Sequence, residues 1–256
     1  MIHLKEKFER IYSTYSKRKF AGNDPVNFLY RYKNREDIET AGLIASSLAY
    51  GNVKQINRSI SLLLGNLGDS PFSFIKSNST RRIKIRLKGF RHRFTGKEEI
   101  SCFLANMKKV VENWGSIYGT FISAYETQKG NFTEALYEFA RRMNSSRRTL
   151  SLIPNPDKKS AFKRLNLYFR WMVRKDNIDL GIWKKIPTSK LIIPLDTHIH
   201  RIALKTGMTK RSNVSMETAL EITEFFRKIN PADPVKYDFA LTRPGINKMR
   251  ETRKGG

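Results

Sequence analysis

The sequence predicts an all-α fold, a two-lobed helical body with a central groove. Three observations carry that reading. Apolar residues recur at steps of three and four along most of the chain, as on the buried stripe of an amphipathic helix. The periodic segments are bounded by capping residues in front and Gly or Pro behind. No convincing stretch alternates apolar and polar residues as a strand does, and no heptad, internal repeat or low-complexity segment is present. The 256 residues are read as one unit, with lobe one at about 38–150 and lobe two formed by about 1–37 plus 151–256.

Taken in order, Phe8, Ile11, Tyr12 and Tyr15 mark a first amphipathic helix. Asp24-Pro25 reads as an N-cap followed by Pro at the first helical position, starting a helix over 26–32. Asp37 is the expected cap of a helix over 38–50, whose small apolar centre Gly42-Leu43-Ile44-Ala45-Ser46-Ser47-Leu48-Ala49 predicts burial, and Gly51 is placed to end it. A helix over 53–67 closes at Gly68. Residues 76–97 are the least regular, crowded with Arg81, Arg82, Lys84, Arg86, Lys88, Arg91 and Arg93. Helices follow at about 97–114, 116–128 and 132–143. Pro154-Asn155-Pro156 breaks the pattern before a helix containing Lys163, and further helices are expected over 197–206, 215–228 and 234–241.

Charge bounds the partner. The formal net charge is +26, from 49 Lys+Arg against 23 Asp+Glu. That excess points to a polyanion, most simply nucleic acid. It is spread along the chain and predicts a wide groove or face. No basic amphipathic tail stands apart to support an anionic membrane surface instead. Cys102 is the single cysteine, so no disulfide forms within the chain and a four-cysteine iron–sulfur cluster or structural zinc site is excluded. The start of the chain lacks a signal-peptide pattern, and no apolar run approaches membrane length, so a cytoplasmic protein is expected.

Two residues invite chemistry. Lys163 lies where a loop runs into a helix. With Ser160 as N-cap it falls in the first turn, where the helix dipole opposes a cation, and Lys158, Lys159 and Arg164 add like-charge repulsion. Both effects favour the free amine, which is how a lysine becomes a nucleophile near neutral pH. A plain phosphate contact is the competing role. Lys163, Asn166, Arg170 and Arg174 form one polar stripe on an otherwise apolar helix and are expected to face a groove; charges snorkelling to the surface would give the same pattern. Asp196 opens Asp196-Thr197-His198-Ile199-His200-Arg201 and is a standard N-cap, one oxygen of which remains for substrate. His198 and His200 are two apart and cannot share a helix face, so no metal pair is expected.

The segment Leu195-Asp196-Thr197-His198-Ile199-His200-Arg201-Ile202 resembles the Val-Asp-Thr-His signature of the helix-hairpin-helix DNA glycosylase superfamily, which includes endonuclease III. Leu43-Ile44-Ala45-Ser46-Ser47-Leu48 is similar to that superfamily's early Leu-Ile-Ala helix. Asp24-Pro25-Val26, Gly42-Leu43-Ile44-Ala45, Leu48-Ala49-Tyr50-Gly51, the stretch 167–174 and the stretch 233–241 resemble a bacterial family of uncharacterised proteins assigned to it. The resemblance implies a glycosylase fold, a catalytic Asp at Asp196 and, as in bifunctional members, a catalytic Lys at Lys163. The 33 positions separating the two are more like archaeal 8-oxoguanine glycosylases than endonuclease III. The Gly-rich phosphate-binding hairpin is not evident, and 155–160 stands in its place.

The function expected is therefore a base-excision DNA glycosylase with β-lyase activity that needs no cofactor or metal, removes an oxidised base such as 8-oxoguanine, and works as a monomer on nucleoid DNA. Lys158, Lys159, Ser160, Arg164, Arg170, Arg174, His198 and Arg201 are the expected DNA contacts. Tyr50 or Asn52 is the expected wedge in the base stack, and Tyr237 and Asp238 are candidates for reading the extruded base. Asp179 is the reserve carboxylate. The alternative is a non-catalytic nucleic-acid-binding protein, for DNA or RNA, with the same charge and fold.

Overall fold

A computed structural model describes residues 2–144, 149–158 and 160–243, and the described chain is mostly helical. It divides into two compact units. A mid-chain unit spans 23–160, and a split unit joins 1–22 to the chain from 161 onward. The sequence reading groups 23–37 with the chain ends, whereas these residues cluster with 38–160.

In the mid-chain unit, Asp24 accepts from the Val26 N–H at 3.1 Å and starts a 3₁₀ turn, Pro25–Arg31. Helix α2, Arg35–Ser47, is buried continuously from Asp37 to Ser47, as its small apolar centre predicts. Its N-cap position is Asn34, not Asp37. Asp37 instead accepts from Ser70 Oγ at 2.8 Å and the Phe72 N–H at 3.0 Å, and so caps a different helix, α4 (Pro71–Ser77). Buried Glu39 is likewise satisfied, by Arg35 Nε at 2.9 Å and the Tyr118 N–H at 3.0 Å. Helix α2 ends before Gly51, which adopts a left-handed φ of 100° three residues beyond the Leu48 C-cap.

Helix α3, Val53–Leu67, starts at the Asn52 cap and stops at Gly68, whose φ of 77° suits glycine alone. The irregular basic stretch contains real structure. Helix α5 is Thr80–Arg86, and a two-stranded antiparallel hairpin, β1 (Arg91–His92) with β2 (Thr95–Gly96), pairs Arg91 with Gly96 and His92 with Thr95. The sequence offers no alternating pattern because each strand is two residues long. Ile83, Leu87 and Phe90 anchor this stretch in the core between exposed cations. Helices α6 (Lys97–Trp114), α7 (Ile117–Thr127) and α8 (Phe132–Met143) complete the unit around Phe103, Phe121 and Phe139.

The split unit holds α1 (Ile2–Tyr15), α9 (Lys163–Val173), α10 (Thr197–Lys205) and α11 (Met216–Ile229), with helix again over 238–243. Phe8 of α1 packs against Phe226 and Tyr237, with ring centroids 5.5 Å from each. Glu9 accepts from Lys236 Nζ at 2.7 Å and from the Tyr237 hydroxyl at 2.7 Å. Burial pushes the Glu9 carboxyl up, but those two donors outweigh it and leave it below its ordinary value. The two ends of the described chain are thus stitched into one core.

Candidate functional site

Lys163 opens α9 and so lies in its first turn, as expected, but the N-cap is Phe162. Ser160, expected as that cap, lies two residues upstream, and its buried Oγ has no hydrogen-bond partner among the described residues. Phe162 takes a left-handed φ of 50° with its ring 1 % exposed. A non-glycine residue pays for that conformation only where packing over-determines it, and here the buried ring does so.

Asp196 is the N-cap of α10. Its Oδ1 accepts from the His198 N–H at 2.9 Å and the Ile199 N–H at 2.8 Å. Its Oδ2 lies 3.5 Å from Lys163 Nζ. One oxygen is thus committed to the fold and the other faces an amine. The side chains are part-exposed, 39 % for Lys163 and 21 % for Asp196, so a reactant from solvent can reach them. The N-termini of α9 and α10 meet at this pair, and their partial positive charge favours an anion beside it.

The rest of the polar stripe on α9 does something else. Arg170 and Arg174 are each 3 % exposed and face carboxylates inside the split unit. Arg170 donates from Nε to Asp179 at 3.2 Å and from Nη1 to Asp238. Arg174 meets Asp176 at 2.6 Å, Asp179 at 2.9 Å and Asp233 at 2.7 Å. Neither arginine is available to a DNA phosphate, which corrects the expected contacts. Periodicity showed that the stripe was polar but not which way it pointed.

Two guanidinium groups face four carboxylates here, and the surplus negative charge has a consequence. Burial pushes the Asp238 carboxyl up to about 6 against the pull of Arg170, and the nearby Asp196 charge adds to the push. Burial also raises Asp179 despite both arginines. Burial acts the same way on Asp176, but Arg174 and two backbone N–H groups overcome it and hold that carboxyl well below the usual range. Asp179, the reserve carboxylate, is sealed by its arginines and has no route to substrate.

The remaining candidates fall into three groups. Tyr237, expected to read a base, is buried with its hydroxyl held by Glu9, and burial with that hydrogen bond raises its pKa. Asp238 is buried against Arg170. Tyr50, expected as a wedge, has its hydroxyl bonded to the His92 carbonyl at 3.2 Å and paired with Thr95 Oγ1 at 2.7 Å; Asn52 is exposed and caps α3. Lys158 and Arg201 are exposed, and Arg164 and His198 are half-buried, so all four remain reachable. Lys159 lies outside the described residues. Among the described residues no group of three or more His, Cys, Asp or Glu is placed to hold a metal ion, and no helix is long and apolar enough to cross a membrane.

The class these observations define is a mostly helical protein in which a part-exposed amine–carboxylate pair is set at two helix N-termini. The chain belongs to the family described as Protein of unknown function (DUF2400), whose model matches residues 24–247. No helix-hairpin-helix glycosylase model matches it, so the superfamily membership read from Leu195-Asp196-Thr197-His198 is corrected. That short signature is shared because Asp before a helix is a common cap, and a cap alone does not identify a lineage. No curated protein and no solved structure matches the chain.

Proposed function

We propose that the chain is a base-excision DNA glycosylase with β-lyase activity, with Lys163 as nucleophile and Asp196 as its proton acceptor. The observation that carries the reading is the 3.5 Å approach of Lys163 Nζ to the one Asp196 oxygen not used in capping. The reading rests on this constellation and on the charge of +26, and superfamily membership plays no part in it. A two-lobed glycosylase architecture with a basic groove belongs to the proposal because a flipped base needs bent duplex held against the enzyme.

Asp196 takes a proton from the Lys163 ammonium. The freed amine attacks C1′ of the damaged nucleotide, the new C–N bond forms, and the glycosidic bond breaks with its electron pair leaving on the base. The carboxylate stabilises the positive charge that develops on the sugar. Ring opening gives a Schiff base, and loss of a C2′ proton expels the 3′ phosphate and nicks the strand. Water then releases the enzyme and regenerates the amine.

The test is borohydride trapping on duplexes carrying 8-oxoguanine, an oxidised pyrimidine, uracil or an abasic site, with Lys163→Gln beside the native protein. A covalent adduct that vanishes in the variant supports the reading, and the substrate that gives it names the base. The absence of both adduct and base release on every duplex sinks it. The net charge then favours the second reading, a non-catalytic nucleic-acid-binding protein.

A further inference from the structure

The β1–β2 hairpin of the mid-chain unit carries an unexplained surface. Phe94 sits at its two-residue tip, 81 % exposed. Beside it Arg93 adopts a left-handed φ of 52° and lays its guanidinium 5.4 Å from the centre of the Phe94 ring. Arg81, Arg82, Lys88 and Arg91 from the same stretch are exposed, and Ile85 is 67 % exposed. An isolated aromatic held out among cations has no role in the core.

The tip is rigidly mounted. His92 and Thr95, opposite each other in the ladder, are both fully buried. His92 bonds through Nδ1 to Ser59 Oγ at 3.0 Å and through Nε2 to the Tyr50 carbonyl at 3.1 Å. The Tyr50 hydroxyl closes the frame on the His92 carbonyl and the Thr95 hydroxyl. Tyr50 is therefore not a wedge but a strut beneath one. Such mounting removes the ordering cost that a floppy loop would pay on binding.

We infer that this hairpin is a nucleic-acid probe: Phe94 stacks on a base exposed by an unpaired or distorted step, while the surrounding arginines and lysines hold the flanking phosphates. Every base offers a π-face, so an aromatic platform ringed by cations is the chemistry that grips a nucleic acid without reading its sequence. Positive charge over the whole segment complements a phosphate backbone. An anionic bilayer would instead call for a broad apolar face, and the exposed apolar groups here are Phe94 and Ile85. The inference takes its nucleic-acid partner from the proposed function and does not need the Lys163 chemistry.

The experiment measures binding of the full chain to a fluorescent duplex bearing an abasic site, to its intact counterpart and to phosphatidylserine vesicles, over a range of salt. Phe94→Ala is expected to weaken binding to the abasic duplex about tenfold with the salt slope unchanged, and Phe94→Trp to restore it. The pair Arg91→Ala and Arg93→Ala is expected to lower the slope by about two. Unchanged affinity in Phe94→Ala overturns the inference, as does loss of binding only to phosphatidylserine vesicles, which would assign the tip to a membrane. Thermal melting of each variant excludes a folding defect. Borohydride trapping of native protein and Lys163→Gln, run alongside, separates the two readings: without an adduct the probe still stands on the Phe94 result, and with an adduct but an inert Phe94 the probe alone falls.

Discussion

Two of the carboxylate–cation groups in the split unit differ in the properties that decide what charge is for. Around Arg170 and Arg174 the two guanidinium groups, Asp179 and Asp238 are buried, Asp176 and Asp233 lie nearer the surface, and each arginine meets more than one acid. At Lys163 and Asp196 a single amine faces one spare oxygen within reach of solvent. Taking one partner out of a buried ion network strands a charge in low dielectric, so the network acts as architecture. A part-exposed pair stabilises the fold little and stays open to partners from solvent. Residue type alone does not separate these roles, since both groups draw a basic residue from α9.

If that contrast is right, stability and activity should rank the residues in opposite orders. Arg174→Met should cost about 3–5 kcal/mol in urea unfolding, because three acids lose their shared partner; a loss below about 1 kcal/mol would put the network outside the cooperative core. Asp238→Asn comes next and is read against pH. The folded Asp238 carboxyl titrates near 6, above its ordinary 3.8, so its favourable contribution is complete below about pH 4 and fades as pH rises through 6. The variant should therefore show a flatter stability profile across that window and gain up to about 3 kcal/mol relative to the native protein at pH 7. An identical slope in both proteins would remove Asp238 as the source. Asp196→Ala should lose about 1 kcal/mol with its cap, whereas Asp196→Asn keeps an accepting oxygen and loses less than about 0.5 kcal/mol. Both should impair trapping alike. Smallest in stability is Lys163→Gln, within about 0.5 kcal/mol of native by thermal melting, yet it should abolish the adduct entirely. A Lys163 variant that unfolds readily would erase the distinction between the two groups.

The all-α class and several helix limits were legible because their end signals are local. Asn52 and Gly68 bracket α3, and Asn131 starts α8 through its own side chain. Asp37 misled because a cap is recognised by type, while its acceptor oxygen was used across space on α4, 33 positions from Ser70. The hairpin escaped notice because Arg93-Phe94 is not a turn pair that sequence favours and its ladder is too short to show a period of two. Lys163 and Asp196 were legible as candidates, each at a helix start. Their 3.5 Å approach was not, since it depends on how α9 and α10 fold together over the intervening chain. The burial of Arg170 and Arg174 was hidden for a related reason: their acids lie at 176–179, 233 and 238, and composition cannot pair them.

The division of the chain also imposes an order of events during synthesis. The mid-chain unit is one continuous segment and can close as soon as 23–160 has left the ribosome. Helix α1 cannot finish its own unit then, because Glu9 waits for Lys236 and Tyr237, 227 and 228 residues later. At roughly 5–20 residues per second that wait is on the order of ten seconds or more. Until then Phe8 lacks its Phe226 and Tyr237 packing, and helix α1 is buried long after it is made. A nascent chain arrested before Lys236 should therefore expose α1 to protease while the mid-chain unit already resists it.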